Sequence, residues 1–464
     1  MTRRPKGSTV AIGSAVAAWA AAGVGMLAVR WLIGTDARMA ALGGLSAVCV
    51  VFGLWIFWSH DGNRITAVGV YNFSFALFVG FAGLYHTFIQ PPGPTLDLIL
   101  TAVSWAYFLH LVTWAIFWAG HRPEPERPFT VNRGSPAVVW WGLALLSTAI
   151  WLVGEDAGTT TGFVLAAIAF AGTALIGAGL ILRAEGWGWV VCGVTTAAAV
   201  AAYTQYFFTG FGRIVLASLG FTFLIVLSHR TRGRIVKLVV LVGAVPALTA
   251  LAALRVALVA EMRNGTQENG FESIVHPLYQ FARLLALEDA GSVPHAWGQT
   301  FWAAVVALVP RRMWPEKPVG LGADLVPVLR PGLIGTNHSE VALYLGEWLF
   351  NFGIPGLFFV PSAGILLRIL DRYLVSAASS VLDRHDNLIR YTLASVAAAG
   401  VIDVLWAGSF SYASRTGSHV VILLAVLLVF QVFWSSARDH RDRPRSPARG
   451  SITGRVRPSA VIRR

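Results

Sequence analysis

The chain has 464 residues, of which 56% are hydrophobic and only 13% are charged, and its mean hydropathy is +0.64. A soluble globular protein of this length does not carry so large an apolar fraction, so the composition indicates an all-α polytopic membrane protein. The net charge of +13 does not predict a nucleic-acid partner, because nine basic residues lie in the last segment, 437–464. Such a tail suits the anionic lipids of an inner leaflet.

Apolar windows of the length that crosses a bilayer recur along the chain with short polar breaks between them. They predict about twelve transmembrane helices in one domain, residues 1–436, followed by a disordered cytoplasmic tail, 437–464. The first span is too long for the apolar region of a signal peptide and is interpreted as an uncleaved anchor. The predicted spans are 10–33, 39–58, 66–90, 97–120, 137–153, 161–182, 187–208, 213–228, 236–258, 341–369, 388–409 and 418–436.

The distribution of Lys and Arg predicts the orientation of these spans. If the N-terminus is cytoplasmic, 25 basic residues fall on the inside and 11 on the outside. Seven of those 11 lie in or beside one long loop, residues 257–340, and long loops are translocated largely regardless of charge. We therefore expect both termini in the cytoplasm and the long loop on the outer side of the plasma membrane. Arginine outnumbers lysine 33 to 3 and alanine is abundant, a composition typical of a high-GC bacterial genome.

Motifs for nucleotides and metals are absent from the sequence. It has no GxxxxGK[ST], no HExxH and no dinucleotide-binding glycine pattern after a strand. No pair of outward-facing aspartates offers a site for a divalent cation. Cys49 and Cys192 both fall within predicted spans, which supports neither a disulfide nor a thiolate metal site. The sequence predicts no cofactor and no metal.

The long loop is predicted to contain two helices of its own. Over residues 272–287 apolar side chains recur at helical spacing, which predicts an amphipathic helix lying on the membrane surface. The run 297–309 is apolar but too short to span, so it predicts a re-entrant or interfacial helix. The polar stripe of the first helix consists of Glu272, His276, Gln280 and Arg283.

A basic motif, VPRRMWPEKP at residues 309–318, follows the second of these helices. Guanidinium groups bind phosphate bidentately, and prolines fix the backbone so that little entropy is lost on binding. Arg311 and Arg312 are therefore candidate phosphate ligands, with Lys317 beside them. The competing interpretation is a basic, aromatic membrane anchor.

Charges isolated within or at the ends of apolar spans form a second group of candidates, because each is costly in hydrocarbon unless it faces a partner or cavity. Arg213 lies in TGFGR, where a glycine-bracketed turn would present its guanidinium at the outer surface. For Arg213 and Arg255 a functional role and a snorkelling anchor stay open as alternatives. The outer-leaflet set is Arg213, Arg255, Glu347, Asp403 and Arg415.

The segment NHSE, which enters the next predicted span, supplies candidate proton acceptors. His338 and Glu340 are the most credible general bases of the loop. On a helix that begins in this segment, Glu340, Tyr344 and Glu347 share one face, which would open toward the basic motif. A loop histidine with an ordinary solvated role is the alternative.

Four features together resemble the O-antigen and oligosaccharide repeat-unit polymerases of the Wzy type. They are PRRMWPEKP, the NHSE segment after it, the NFGIPG turn in the next span, and an earlier Gly-x-Gly-Arg before a span with a basic cytoplasmic end. The resemblance covers roughly residues 203–360. Some members of this family carry two long outer loops with basic motifs, whereas this chain has one.

The resemblance implies a metal-independent glycosyltransferase that polymerises undecaprenyl-diphosphate-linked oligosaccharide repeat units at the outer face of the membrane, for O-antigen, capsule or exopolysaccharide. It implies that His338 or Glu340 deprotonates or orients the acceptor hydroxyl. Membrane lipids and a chain-length regulator protein are further expected partners. The implied diphosphate ligands are Arg213, Arg255, Arg311 and Arg312. The implied secondary substrate-binding residues are Trp314, Lys317, Tyr344 and Glu347.

Three alternative functions are compatible with the sequence. An O-antigen ligase would use the same chemistry on another acceptor. A polyprenyl-phosphate-sugar dependent transferase usually places an acidic residue in a long first outer loop, and here that loop holds only Asp36. A transporter or flippase of lipid-linked sugars would be expected to show repeated halves, and the sequence shows no internal repeat.

Overall fold

The computed structural model describes residues 37–89, 93–119, 135–153, 160–208, 213–231, 233–260, 272–336, 338–380 and 384–441. Every regular element within these ranges is a helix. The predicted first span, 10–33, and the tail beyond residue 441 lie outside them.

The N-terminal part of the described chain is a series of long helices joined by short connections. The second of these helices is apolar on all sides and contains a π-helical turn at Ala76–Phe81. The helices are α1 Ala37–Ser59, α2 Ala67–Ile89, α3 Pro94–Ala119, α4 Pro136–Val153, α5 Thr160–Arg183, α6 Gly188–Phe207, α7 Arg213–Arg230 and α8 Gly233–Ala260.

The C-terminal part begins with the loop region and returns to long helices. A second π-helical segment, Tyr412–Gly417, joins its last two helices. The helices are α9 Glu272–Asp289, α10 Gln299–Val305, α11 Leu321–Asp324, α12 Val326–Leu329, α13 Leu343–Leu357, α14 Ala363–Ala378, α15 His385–Ala399, α16 Val401–Ser411 and α17 Ser418–Arg441.

Eight helices in the described ranges are long and apolar enough to cross a membrane, and one bent pair raises the number to nine. They comprise α1 to α7 and the stretch Val401–Val432. This is the architecture of a polytopic membrane protein, in which helices satisfy their own backbone hydrogen bonds. The total of twelve spans stays a prediction.

The predicted span 341–369 is not one straight helix. The chain bends by 105° between α13 and the segment that continues as α14. Gly353 within α13 has a φ of 64°, which interrupts the helix before the bend. The predicted span 388–409 likewise divides into α15 and α16, and Gly408 with a φ of 84° breaks α16. Glycine tolerates such positive φ values at no steric cost.

Helix α2 lies at the centre of the bundle, packed between α1, α3, α9 and α16. All nine residues of its first segment, Ala67–Phe75, are buried. A helix that is apolar all round gains most when neighbours cover every face. By contrast, α6 exposes Val190, Val191 and Val194 on a surface that suits lipid tails.

Lys237 of α8 closes one end of the bundle. Its ammonium donates hydrogen bonds to the backbone carbonyls of Trp58 at 3.2 Å, His60 at 2.9 Å and Gly62 at 2.9 Å. The side chain is fully buried. It thereby satisfies carbonyls that the end of α1 leaves without intrahelical partners.

Asp371 of α14 binds the start of α2 at the same end of the bundle. Its carboxylate accepts a hydrogen bond from the backbone N–H of Val68 at 3.2 Å and lies 3.1 Å from Nε2 of His60. A carboxylate at a helix N-terminus satisfies an unpaired N–H and complements the helix dipole. The turn between α1 and α2 is therefore held by groups from α8 and α14.

The amphipathic helix expected over 272–287 forms as α9, but its surroundings differ from the expectation. Leu278, Phe281 and Leu284 are fully buried, and α9 packs against α2, α3 and α13. Gln280, on the predicted polar stripe, is also fully buried. Protein rather than a lipid surface covers this helix.

The run 297–309 forms a shorter helix than expected. Helix α10 covers only Gln299–Val305, after which the chain continues in turns. Trp302 and Val305 expose about half or more of their surface. This exposure is compatible with the predicted interfacial position.

Candidate functional site

Glu340 is a buried carboxylate in an extended segment of the loop. It is 1% exposed, and its backbone N–H donates to the carbonyl of Gly322 at 2.9 Å. Helix α13 begins only at Leu343, which has a φ of 60°. The helical face predicted for Glu340, Tyr344 and Glu347 is therefore not formed, because Glu340 lies before the helix.

Four side chains surround the Glu340 carboxylate, two at each oxygen. Oε1 lies 2.8 Å from Nε of Arg330 and 2.9 Å from Nε2 of His338. Oε2 lies 2.8 Å from Nε2 of His276 and 3.1 Å from the amide nitrogen of Gln280. Hydrogen bonds of this number and geometry can hold an ionised carboxylate in a buried position.

Arg283 fixes the orientation of the Gln280 amide. It donates to Gln280 Oε1 at 3.3 Å and to the backbone carbonyl of Leu329 at 3.0 Å. The amide nitrogen of Gln280 consequently faces Glu340. We call His276, Gln280, Arg283, Arg330, His338 and Glu340 together the Glu340 cluster.

The cluster determines the ionisation of its central carboxyl group. Burial alone raises the pKa of Glu340, but the hydrogen bond and charge of His276, the hydrogen bond of His338 and the charge of Arg330 outweigh it. The pKa of Glu340 is therefore lowered. An ionised carboxylate only accepts hydrogen bonds, so Nε2 of His338 carries a proton and Nδ1 is the basic atom of the neutral ring.

His338 is accessible from outside the cluster. Its side chain is 25% exposed, whereas that of Glu340 is 1% exposed. The pair thus has a buried anion behind a solvent-accessible imidazole. This is the arrangement in which a carboxylate orients a histidine and stabilises the imidazolium formed when the ring accepts a proton.

Two of the six cluster members, His338 and Glu340, were predicted as site residues. His276, Gln280 and Arg283 were recognised only as the polar stripe of a surface helix. Their i, i+4, i+7 spacing places them on one helix face, and that regularity was the available signal. Arg330 stands alone between short helices, and no sequence pattern singles it out.

The basic motif does not join the Glu340 cluster. Arg311, Arg312 and Trp314 are exposed. Arg311 donates to backbone carbonyls of its own loop, those of Pro315 at 3.1 Å and Lys317 at 3.3 Å. Across the described residues, no hydrogen bond or ion pair links either arginine of the motif to the buried carboxylate. The predicted helix face that would open from Glu340 toward the basic motif is therefore not observed.

Lys317 has a structural role in this loop. Its ammonium donates to the carbonyls of Ala307 at 2.7 Å and Val309 at 2.6 Å, which closes the turn after α10. Burial and then the nearby Arg311 lower its pKa. The side chain is committed to backbone acceptors, so it is a poor candidate for substrate binding.

The other two predicted diphosphate ligands, Arg213 and Arg255, belong to α7 and α8. Arg213 is the first residue of α7 and is half-buried, and residues 209–212 before it lie outside the described ranges. Arg255 falls within α8 at a position whose side chain is not described. Their role as diphosphate ligands stays a prediction.

Glu347 forms a second buried site, where α13 meets α16. Oε2 accepts the backbone N–H of Ser409 at 2.6 Å. Oε1 accepts the Ser409 hydroxyl at 2.7 Å and the Thr300 hydroxyl at 3.1 Å. Asn351, one turn along α13, donates to the same Thr300 hydroxyl at 2.6 Å. We call this the Glu347 crossing, and its hydrogen bonds join α13, α16 and Thr300 of α10.

Tyr344 does not offer a face to a sugar. It is 5% exposed, and its ring lies edge-on to Trp348 with centroids 6.2 Å apart. Tyr344 is among the implied substrate-binding residues, and a tyrosine that binds a sugar by stacking needs an open aromatic face. Tyr344 is instead part of the packed core of α13.

Asp403 and Arg415 neutralise one another in the C-terminal helices. Arg415 Nη1 lies 3.1 Å from Oδ1 of Asp403, and the hydroxyl of Thr416 donates to Oδ2 at 3.2 Å. Asp403 on α16 and Arg415 in the adjacent π-helical segment therefore form an ion pair. This pairing explains how two charges predicted in the outer leaflet are tolerated there.

Comparison of the chain with protein-family models, with curated proteins and with solved structures finds no match in any of the three. The described ranges also contain no group of three His, Cys, Asp or Glu side chains arranged to hold a metal ion. What the protein does is therefore inferred from its clusters and its motifs.

Proposed function

We propose that the protein is a glycosyltransferase that polymerises undecaprenyl-diphosphate-linked oligosaccharide repeat units at the outer face of a bacterial plasma membrane. The observation that supports this proposal most is the His338–Glu340 pair, in which a buried carboxylate holds an accessible imidazole at 2.9 Å. Its position just before a predicted span agrees with the resemblance carried by the loop motifs.

In this mechanism His338 activates the acceptor. Nδ1 takes the proton of the acceptor sugar hydroxyl while Glu340 stabilises the imidazolium through Nε2. The hydroxyl oxygen attacks C1 of the donor glycan, the bond from C1 to the phosphate oxygen breaks, and undecaprenyl diphosphate leaves. A positioned general base of this kind typically contributes about 10²- to 10⁴-fold to the rate.

The leaving diphosphate needs cations where water is scarce, and arginines can supply them without a metal. Arg311 and Arg312 are proposed to hold the diphosphate, and their exposed position leaves them accessible to a lipid-linked substrate. Arg213 and Arg255 are proposed as additional ligands. Arg330 is proposed to hold Glu340 in its ionised form.

The experiment replaces His338 or Arg312 with alanine in a strain that lacks the native gene and scores glycan length on gels. We expect single repeat units instead of a ladder at normal membrane levels of each variant. The matched control is His295→Ala, because His295 forms another imidazole–carboxylate pair of the loop region, with Glu288 at 3.0 Å. Wild-type ladders from both site variants would sink the proposal.

A ligase would share this chemistry, so the acceptor distinguishes the two. Purified protein supplied with a synthetic polyprenyl-diphosphate repeat unit and no other acceptor should build polymer if it is a polymerase. The reaction should proceed equally with and without a chelator. A ligase would give no polymer under these conditions.

A second candidate function is transport of lipid-linked sugars across the membrane. Two apolar helices break at Gly353 and Gly408, and the Glu347 crossing lies beside these breaks. Discontinuous helices of this kind form the binding sites of many transporters. Accumulation of unpolymerised repeat units on the inner leaflet of a deletion strain, rather than on the outer one, would favour transport.

A further inference from the structure

Four buried polar side chains lie on α1, α2 and α3. Ser46, Asn72, His86 and His110 are each 5% exposed or less. Among the described residues, the Ser46 hydroxyl, Oδ1 of Asn72 and both ring nitrogens of His110 have no hydrogen-bond partner. His86 lies near the Val275 backbone, but neither of its ring nitrogens makes a well-formed hydrogen bond. We call these four residues the polar seam.

Unpartnered polar atoms are costly in the interior of an apolar bundle, and ionisable ones there point to a function. The cost is greatest at His110, whose ring lies in the core of three packed helices. Its ring stacks on Phe75 with centroids 3.7 Å apart and also lies parallel to Tyr71 at 5.5 Å. These aromatic contacts fix the orientation of the ring but give its two nitrogens no hydrogen-bond partner.

The centre of the seam is a cavity. His110 and Asn72 both line it, together with Tyr71 and Thr113, and it has room for about one water molecule. A buried water requires several polar neighbours, and the Asn72 oxygen and the His110 nitrogens are polar groups that lack other partners. Most of the cavity lining is apolar, so a water there would depend on these two side chains.

One end of the cavity leads to the His60–Asp371 pair. Val68 lines the cavity, and its backbone N–H donates to Asp371. Phe117 and Trp114, which also line the cavity, have ring centroids 5.5 and 6.2 Å from that of His60. A buried imidazole–carboxylate pair thus lies directly behind the cavity wall. Asp61 interacts with both members of this pair and also with Arg64 and Lys237.

The other end of the seam leads to the Glu340 cluster. Ser46 touches α2 where Gly83 leaves room for it, and His86 follows one turn later on α2. The His86 ring lies 6.0 Å from that of Tyr279 on α9, whose neighbour along the same helix is the cluster residue His276. Ser46 and His60 are about 20 Å apart along α1, so the seam covers most of the bundle's thickness.

We propose that the polar seam is a proton path between the Glu340 cluster and the His60–Asp371 pair, with a water held by Asn72 and His110 at its centre. Imidazole accepts a proton at one nitrogen and releases one from the other, so each histidine returns to its starting charge after a tautomer change. A proton enters from water at one end and leaves to water at the other. The transmembrane proton gradient supplies the driving force.

The test uses the full-length protein reconstituted in liposomes that contain a pH-sensitive dye, with a potassium gradient and valinomycin to drive protons. We expect the wild-type protein to change the internal pH faster than protein-free liposomes. His110→Phe and Asn72→Leu should each lower the protein-dependent rate at least tenfold. Ser46→Ala should lower it severalfold.

The matched control is His419→Phe, because His419 is a buried histidine stacked on Phe170 outside the seam, and its replacement should leave the rate unchanged. Thermal unfolding checks that each variant is folded. Ser46→Ala removes only a hydroxyl, so it tests the path even if a larger change prevents folding.

Three results would overturn the proposal. They are wild-type liposomes that behave like protein-free ones, folded seam variants that conduct like the wild type, and an equal protein-dependent leak of potassium in liposomes without valinomycin. Because the assay contains no glycan substrate, its outcome is separate from that of the polymerase experiment.

Discussion

The carboxylate of Glu347 on α13 accepts both the backbone N–H and the hydroxyl of Ser409 on α16, at 2.6 and 2.7 Å. Ser409 directly follows Gly408, where a φ of 84° breaks the helix and exposes backbone donors. The anion therefore satisfies groups that the break releases. The contact therefore joins α13 to α16 at the point where α16 is broken.

Replacing Gly408 with alanine should destabilise the protein by roughly 1–3 kcal/mol. The new Cβ would lie 2.5 Å from Oε2 of Glu347, and the backbone there is left-handed. The measurement is thermal unfolding in detergent. The control is Gly220→Ala in α7, where nothing lies within 4 Å and alanine should be neutral or slightly stabilising. An unfolding temperature of Gly408→Ala equal to that of the wild type would contradict the structural role of the crossing.

Replacing Glu340 with glutamine should cost roughly 3–5 kcal/mol at neutral pH, because Arg330 is left without its buried anion. Because the pKa of Glu340 is lowered in the folded protein, the stability contributed by its carboxylate decreases as the pH falls. Stabilisation by the carboxylate is fully present above its ordinary pKa of about 4.3 and is lost only as the pH falls through the lowered value.

Unfolding of the wild type and of Glu340→Gln, followed by denaturant titration at several pH values, checks this prediction. The stability difference should be constant above about pH 5 and shrink below about pH 4. Glu288→Gln serves as the comparison, since Glu288 is more exposed and, within the described residues, its ion-pair partner is His295. The effect of this change should be smaller. A stability difference that grows as the pH falls would contradict the assignment of Glu340 as an ionised carboxylate.

Asp324→Asn should stabilise the protein at neutral pH. Burial raises the pKa of Asp324 to about 6, and its Oδ2 has no hydrogen-bond partner among the described residues. Because the folded-state pKa is raised, the cost of ionisation develops as the pH rises from about 4 to about 6 and is complete above that.

We expect a gain of about 1 kcal/mol at pH 7.5, limited by partial solvation of the site, and almost none at pH 4. Unfolding temperatures of Asp324→Asn and wild type at these two pH values provide the measurement. A gain that is equal at both values would show that ionisation is not its cause.

Arg330→Lys should lower polymer formation at least tenfold if the proposed function holds. Arg330 binds Glu340 through Nε at 2.8 Å and also lies beside His276, and a lysine ammonium cannot reproduce two such directions at once. Arg38→Lys is the comparison, since Arg38 forms an exposed ion pair with Asp97 outside the Glu340 cluster and its charge is retained. The measurement is the rate of glycan chain growth in membranes that contain each variant. Equal rates would show that Arg330 is not part of the functional site.

Hydropathy predicted the seven spans that became α1 to α7 within a few residues, because a run of apolar side chains is a local property of the chain. The break at Gly353 was visible in sequence only as the NFGIPG turn. Whether such a glycine bends a helix depends on what packs beside it. At Gly408 that partner is Glu347, which comes from another helix.

The candidate site was predicted only in part, for a related reason. His338 and Glu340 are two residues apart, so sequence proximity was enough to propose them together. His276 and Arg330 reach the same carboxylate from elsewhere in the loop region, and their meeting depends on how α9 packs. An amphipathic pattern predicts a helix but does not specify whether lipid or protein covers its apolar face.

The three carbonyl contacts of Lys237 bear on how the protein is made. The residues that it binds, Trp58, His60 and Gly62, are synthesised 175 to 179 positions earlier. At about 5–20 residues per second, roughly ten to thirty seconds separate the two events. Until α8 emerges, the hairpin of α1 and α2 lacks its closing cation, so the N-terminal helices must wait for a later segment before their assembly in the membrane is complete.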